Sequence, residues 1–348
     1  MTHAKTAVAH GEVVLTTASP DVPVKPREHK PGKSERRYGD SVFRWVVAST
    51  AVFIVLTLLG TGIYLVLQAW PALTHYGLLS YLTSDRWAPS EATVQSRHPN
   101  PYGILQFIVG TLVTSAIAML IAVPVSIALG LYITDMAPAR VRRTLSSLVD
   151  LLAAIPSVVY GFWGVFALIP ALQPIGEGLT HLSVIPVIGA VFRGPFFGYA
   201  IFSASVVLAI MVLPIVTAIC REVFATAPVA EKEAAFGLGA TRWEMLRIAV
   251  LPRSRSGIVG AAILGLGRAF GETIAVTMLI GNNVLSIAKS IFSQGATMPS
   301  VIANEFTEAT EPYHLNSLFV VATALLVVSL LVNVVGKRVV SRAGEHIA

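Results

Sequence analysis

Six long apolar stretches follow one another along the chain. They lie at about Phe43–Trp70, Ile104–Thr134, Ser147–Leu172, Phe196–Cys220, Gly257–Ile280 and Leu315–Val335. Crossing a bilayer takes about 20 largely apolar residues, and a backbone in lipid must bond to itself, so each stretch predicts a helix. The pattern as a whole predicts an all-α integral membrane protein with six transmembrane helices. Pro124, Pro156 and Pro214 fall inside the second, third and fourth stretches. Each removes a backbone donor and is expected to kink or break its helix. Residues 1–42 are polar and rich in Pro, Lys, Arg and Glu, without the apolar core of a secretory signal. They read as a disordered cytoplasmic extension. The six-span domain then occupies 43–338, with a polar segment at 228–252 between the fourth and fifth spans, and 339–348 form a tail.

Charge gives the orientation. Of the 25 Lys and Arg, 20 fall on the side of the N-terminus (Arg44, at the edge of the first span, included), and only Arg86, Arg97, Arg193 and Lys289 fall opposite. Cytoplasmic loops collect Lys and Arg, so both termini are expected in the cytoplasm. The net charge of +6 then reflects topology and a lipid environment, and no nucleic-acid partner is implied. Only 13% of residues are charged and 54% are hydrophobic, against about 25% charged in a soluble domain. A single cysteine, Cys220, excludes an internal disulfide, and the eight histidines have no metal-ligand spacing. Gly32-Lys33-Ser34 resembles the end of a phosphate-binding loop. Arg27 stands where that loop needs glycine, so no ATPase site is expected.

The remaining basic residue, Arg268, lies inside the fifth stretch. It is twelve residues past Ser256, roughly 18 Å along a helix and near the bilayer centre. A central arginine costs about 2.5–3.5 kcal/mol on insertion scales, so it must face protein or water. On a continuous helix Arg268 and Glu272 share the stripe of Gly257, Ala261 and Gly265, small residues that let another helix approach. The pair is spaced i,i+4 and can neutralise itself. Two readings follow: a bridge that fixes packing, or an anion or proton station on a transport path. A guanidinium stays charged and offers a planar donor fork to an oxyanion.

The polar segment contains Glu233-Ala-Ala-Phe-Gly-Leu-Gly239 and, further on, Leu251-Pro252. Glu231 and Glu233 suit a helix N-terminus. Gly239 is expected to end that helix, and a second amphipathic helix carrying Trp243, Leu246 and Val250 to run up to Pro252, which ends it. Two short helices at an angle make a stiff knob. The bland alternative is a hairpin resting on the membrane surface.

This segment resembles the signature of ATP-binding-cassette (ABC) import permeases: Glu-Ala-Ala, three residues, Gly, nine residues, Ile, any residue, Leu-Pro. Ala249 replaces the isoleucine. Further stretches resemble the phosphate-specific importers, the PstC type of permease rather than the PstA type. They are Pro101–Leu112, Ala154–Gly164, Gly267–Asn282 and Ser300–Phe306. The resemblance implies a type I importer permease (MetI-like) fold in the bacterial inner membrane. It implies pairing with a PstA-type permease subunit, a cytoplasmic ATPase dimer as motor, and an external binding protein that delivers inorganic phosphate. No cofactor is implied, and ATP hydrolysis belongs to the partner. Arg268 and Glu272 would line the pathway. Glu233, Ala234, Ala235, Gly239, Leu251 and Pro252 would form the ATPase-coupling segment. The alternatives are a permease for another oxyanion, such as sulfate or molybdate, and a secondary transporter that needs no ATPase.

Among smaller features, Tyr76, Tyr81 and Trp87 read as an interfacial aromatic belt. Tyr160, Phe162 and Trp163 read as packing or pathway lining. Asn304, Glu305, Glu308 and Glu311 read as a contact with the delivery protein or as a solvated acidic face.

Overall fold

The computed structural model describes residues 38–89, 100–185 and 189–345. The part of the N-terminal extension at 1–37, with its Gly-Lys-Ser triplet, and Arg97 lie outside the described residues. The chain forms two units, Met1–Val55 and Leu56–Ala348. The described part of the first is helical, and its Phe43 and Trp45 side chains are exposed.

Thirteen α-helices follow one another among the described residues. They are α1 (Tyr38–Tyr76), α2 (Leu78–Thr83), α3 (Leu105–Leu131), α4 (Ala139–Ala154), α5 (Ser157–Trp163), α6 (Ile169–Thr180), α7 (Ile201–Ala225), α8 (Val229–Gly237), α9 (Arg242–Met245), α10 (Leu251–Gly271), α11 (Ile274–Leu279), α12 (Met298–Glu305) and α13 (Pro312–Glu345). Wider π-helical turns extend α3 (Tyr132–Met136), join α5 to α6 (Gly164–Leu168) and join α9 to α10 (Leu246–Val250). Pairing between extended segments is limited, among the described residues, to single bridges at Trp87–Tyr102 and Gly281–Gly295.

Among the described residues, five helical segments are long and apolar enough to span a membrane: Ser41–Tyr76, Leu105–Met136, Ser157–Val184, Ile201–Ala225 and Pro312–Arg338. The expected sixth, at Gly257–Ile280, is built instead from α10 and α11. It is interrupted at Glu272, whose ψ of 122° is extended, before the chain turns helical again at Ile274. The third span also begins later than expected. Pro156 caps α5 and separates it from α4. The α4 sequence carries Arg140, Arg142, Arg143 and Asp150 among its leucines, an amphipathic pattern suited to a surface. Pro124 and Pro214 stay inside the continuous helices α3 and α7.

Within the second unit, α7 is the central element. Two-thirds of its apolar window is buried, and it packs along α3 and α10. Small residues permit this. A Cβ on Gly265 would lie 2.6 Å from Val216 Cγ2 and 3.0 Å from Val212 Cγ1 of α7. Ala261, one turn earlier, is fully buried. A second cluster joins the end of α1, α2, α12 and α13. Here the belt reading is corrected for Tyr81 and Trp87, while Tyr76 is half-buried. Trp87, Tyr81 and Tyr102 are fully buried. Trp87 Nε1 donates to Glu305 Oε2 at 2.7 Å, and Glu305 also pairs with His314 at 2.9 Å. Glu305 is thus the internal acceptor that lets a buried indole satisfy its N–H. Burial pushes the Tyr81 and Tyr102 phenols up from their ordinary range.

Candidate functional site

The candidate functional residues lie in two places: the broken helix around Arg268, and the corner formed by α8 and α9.

On α10 the small residues Gly257, Ala261 and Gly265 face inward, Gly257 and Gly265 toward α7. Leu264, Gly267, Arg268 and Gly271, with Ile274 beyond the break, form a different and exposed face. A Cβ at Gly267 or Gly271 would meet nothing within 4 Å. Arg268 sits at the border between the two faces with its side chain 49% exposed, while Glu272 is 6% exposed. Their Nη2 and Oε2 atoms are 3.5 Å apart. The sequence spacing therefore brings the pair together, but through a helix end rather than along a continuous helix. Turning Glu272 into the extended region carries its carboxylate inward and leaves the guanidinium at the surface. Thr273 Oγ1 then donates to the Gly271 carbonyl at 3.2 Å, and the Thr277 amide and hydroxyl both reach the Thr273 carbonyl. Irregular backbone at membrane depth is tolerated where protein covers it or where it lines a water-filled cavity. An exposed arginine beside such a break fits that rule and fits contact with an anion.

The α8–α9 corner is specified by two caps set back to back. Gly239 has φ = 84°. Its amide reaches the Phe236 carbonyl at 2.9 Å, and the Ala240 amide reaches the Ala235 carbonyl at 3.1 Å. These two bonds are the Schellman stop, in which glycine supplies the left-handed residue. Two residues on, Thr241 caps α9. Its Oγ1 accepts from the Glu244 amide at 3.3 Å, and its own amide donates to Glu244 Oε2 at 2.8 Å. The Thr241 backbone and hydroxyl hold the Glu244 carboxyl below its usual range. Pro252 does not end a helix as expected. The chain runs helically from Arg242 to Gly271, and Pro252 lies in the first turn of α10. The π-turn at Leu246–Val250 precedes the proline, and such a wide turn absorbs a missing donor in a helical ladder.

Of the coupling residues named from sequence, Glu233, Ala234 and Gly239 are exposed, Ala235 is buried, and Leu251 and Pro252 are half-buried at the base of α10. The corner also exposes apolar groups that the motif did not single out. Leu238 is 91% exposed, and Phe236, Trp243 and Val229 are open as well. For Leu238 the signal was an apolar residue beside a helix-stopping glycine. Leu246 and Val250, grouped with Trp243 from sequence, are instead fully buried.

Residues 122–344 match the family of binding-protein-dependent transport system inner membrane components. The chain belongs to that family. Curated relatives extend the match beyond this region. The PstC phosphate transport system permease of Mesorhizobium japonicum is 39% identical over 87% of this chain and 90% of its own. That of Xylella fastidiosa (strain 9a5c) is 40% identical over 87% and 91%. PstC 2 of Mycobacterium tuberculosis is 36% identical over 87% and 92%. Among solved structures, the inward-facing MetNI methionine ABC transporter aligns with TM-score 0.47 and 19% identity over 69% of this chain and 94% of that one. The chain is thus a multi-pass inner-membrane permease subunit of an ABC importer, and ATP hydrolysis lies on a separate subunit.

Proposed function

We propose that the protein forms half of the transmembrane path of an ATP-driven phosphate importer. The partners are a PstA-type permease, a cytoplasmic ATPase dimer and an external phosphate-binding protein. The reading is supported by the names of relatives near 40% identity. The single observation that carries it is chemical: a half-exposed guanidinium beside a broken helix, with its buried carboxylate 3.5 Å away. Orthophosphate is a tetrahedral oxyanion, and arginine binds such anions through two parallel donors. Glu272 holds Arg268 while the path is empty and yields it when phosphate arrives. The uncovered glycine face of α10 suits close approach of the partner permease.

The α8–α9 corner is the coupling element, and its exposed Glu233, Ala234 and Gly239 face the ATPase. Leu251 and Pro252 carry the motion into α10. ATP-driven closure of the motor pushes the corner, tilts the spans and opens the path outward, and hydrolysis resets it. Both termini are cytoplasmic in this scheme, with 1–42 and 339–348 as appendages of the permease domain at 43–338.

The test is uptake of labelled phosphate by vesicles holding the assembled complex, with sulfate and molybdate as competitors. ATP-dependent uptake that only phosphate competes for is expected. Uptake without the ATPase, or equal competition by sulfate, would overturn the reading.

A further inference from the structure

Helix α8 presents two faces. The outer one carries Glu233, Ala234 and Phe236, while Lys232 points inward beside buried Ala235. Lys232 Nζ lies 2.6 Å from Asp135 Oδ1, in the π-turn that closes α3. The side chains are 17% and 9% exposed. A second tie between α8 and the bundle, Glu231–Arg253, is longer at 3.5 Å and about half exposed. Solvent screens that one; the buried pair is screened far less. Asp135 belongs to a corner that also holds the end of α7, where Thr134 Oγ1 reaches the Arg221 carbonyl. From there α3 runs along α7 and reaches α10, with Met119 3.4 Å from the Cβ position of Gly265, one turn before Arg268.

From this geometry we infer that the Lys232–Asp135 ion pair is the link that transmits motion of the cytoplasmic corner to α3, and through α3 to the arginine on α10. The inference rests on the coupling role proposed for α8 and adds a pair of positioning residues to it. The covalent route from α8 to α10 passes through the Gly239 turn, α9 and a π-turn. The ion pair bypasses them. Removing one partner leaves the other charge buried and alone, which destabilises the fold, whereas removing both charges together is close to neutral.

The decisive variant is therefore the double Asp135→Asn, Lys232→Met, compared with wild type in the reconstituted complex. Readouts are co-purification of the ATPase and labelled phosphate imported per ATP hydrolysed. The double variant is expected to assemble normally and hydrolyse ATP while its transport ratio falls about tenfold. Asp135→Glu with Lys232 intact is expected to keep the ratio. A normal ratio in the double variant would overturn the inference, and so would loss of ATPase co-purification, which would make the pair a structural brace. Absent uptake by wild type would instead indict the permease reading.

Discussion

The turn at Gly239 offers a clean test of the coupling role proposed for the α8–α9 corner, because backbone conformation there is separable from space. A Cβ at Gly239 would meet nothing within 4 Å, yet its φ is 84°. A side chain therefore costs only the left-handed conformation, about 1–2 kcal/mol for an ordinary L-residue. Asparagine is one of the few residues that visits that region routinely, and a β-branched residue is the most opposed to it. Gly239→Val is thus expected to shift the corner out of its stopped geometry, and Gly239→Asn to retain it. The corner is exposed, so the cost falls on its docking competence rather than on the bundle. A penalty of about 1–2 kcal/mol corresponds to a 5- to 30-fold loss in the population of the docking-competent turn. The assay is titration of the purified permease with its ATPase, alongside the thermal midpoint of the permease alone. Equal docking by the valine and asparagine variants would refute the reasoning, because it would show that the left-handed turn is not what the motor recognises.

Other outcomes follow from the same coordinates. Gly265→Ala drives a methyl to 2.6 Å from Val216 and is expected to lower stability by about 1–3 kcal/mol as overpacking. Gly260→Ala meets nothing within 4 Å and gains helix propensity, so the thermal midpoint of the isolated subunit should hold or rise slightly. The α9 cap depends on pH. The Glu244 carboxyl is held low in the folded state, so its contribution is complete above the ordinary carboxylate range and is lost as pH falls through the lowered value. Hydrogen-exchange protection of the Thr241 amide, taken against its intrinsic exchange rate at each pH, should fall as Glu244 protonates in acid, and protection of the Glu244 amide should be lost in Thr241→Ala. Glu305→Gln should weaken the α12–α13 cluster, since Trp87 and His314 both bond to one of its oxygens. A lowered midpoint with uptake per folded complex preserved is the expected result.

Much of this architecture was legible in the chain. The apolar stretches mark the long helices, and Gly239 marks the stop of α8. The misplacements have physical causes. Pro156 divides α4 from α5 because a surface helix with amphipathic spacing runs directly into an apolar one, and hydropathy alone does not reveal the join. The break at Glu272 has no proline to announce it. Gly267, Gly271 and Thr273 lower helix propensity there, yet the surrounding apolar run reads as continuous. The π-turn before Pro252 keeps a helix going where a proline ordinarily stops one. Trp87 and Glu305 are 218 positions apart, and Lys232 and Asp135 are 97 apart. No local pattern joins residues so distant, so a buried bond looked like an aromatic belt in one case and was invisible in the other.

The central claim is that phosphate passes an arginine held beside a helix break. The most direct measurement is ATP-driven uptake by complexes carrying Arg268→Gln, with ATPase co-purification measured in the same preparation. Glutamine keeps a hydrogen-bonding group on a shorter side chain and removes the permanent charge. Uptake lost with assembly intact is the expected result; wild-type uptake by the glutamine variant would contradict a role for the arginine in phosphate passage.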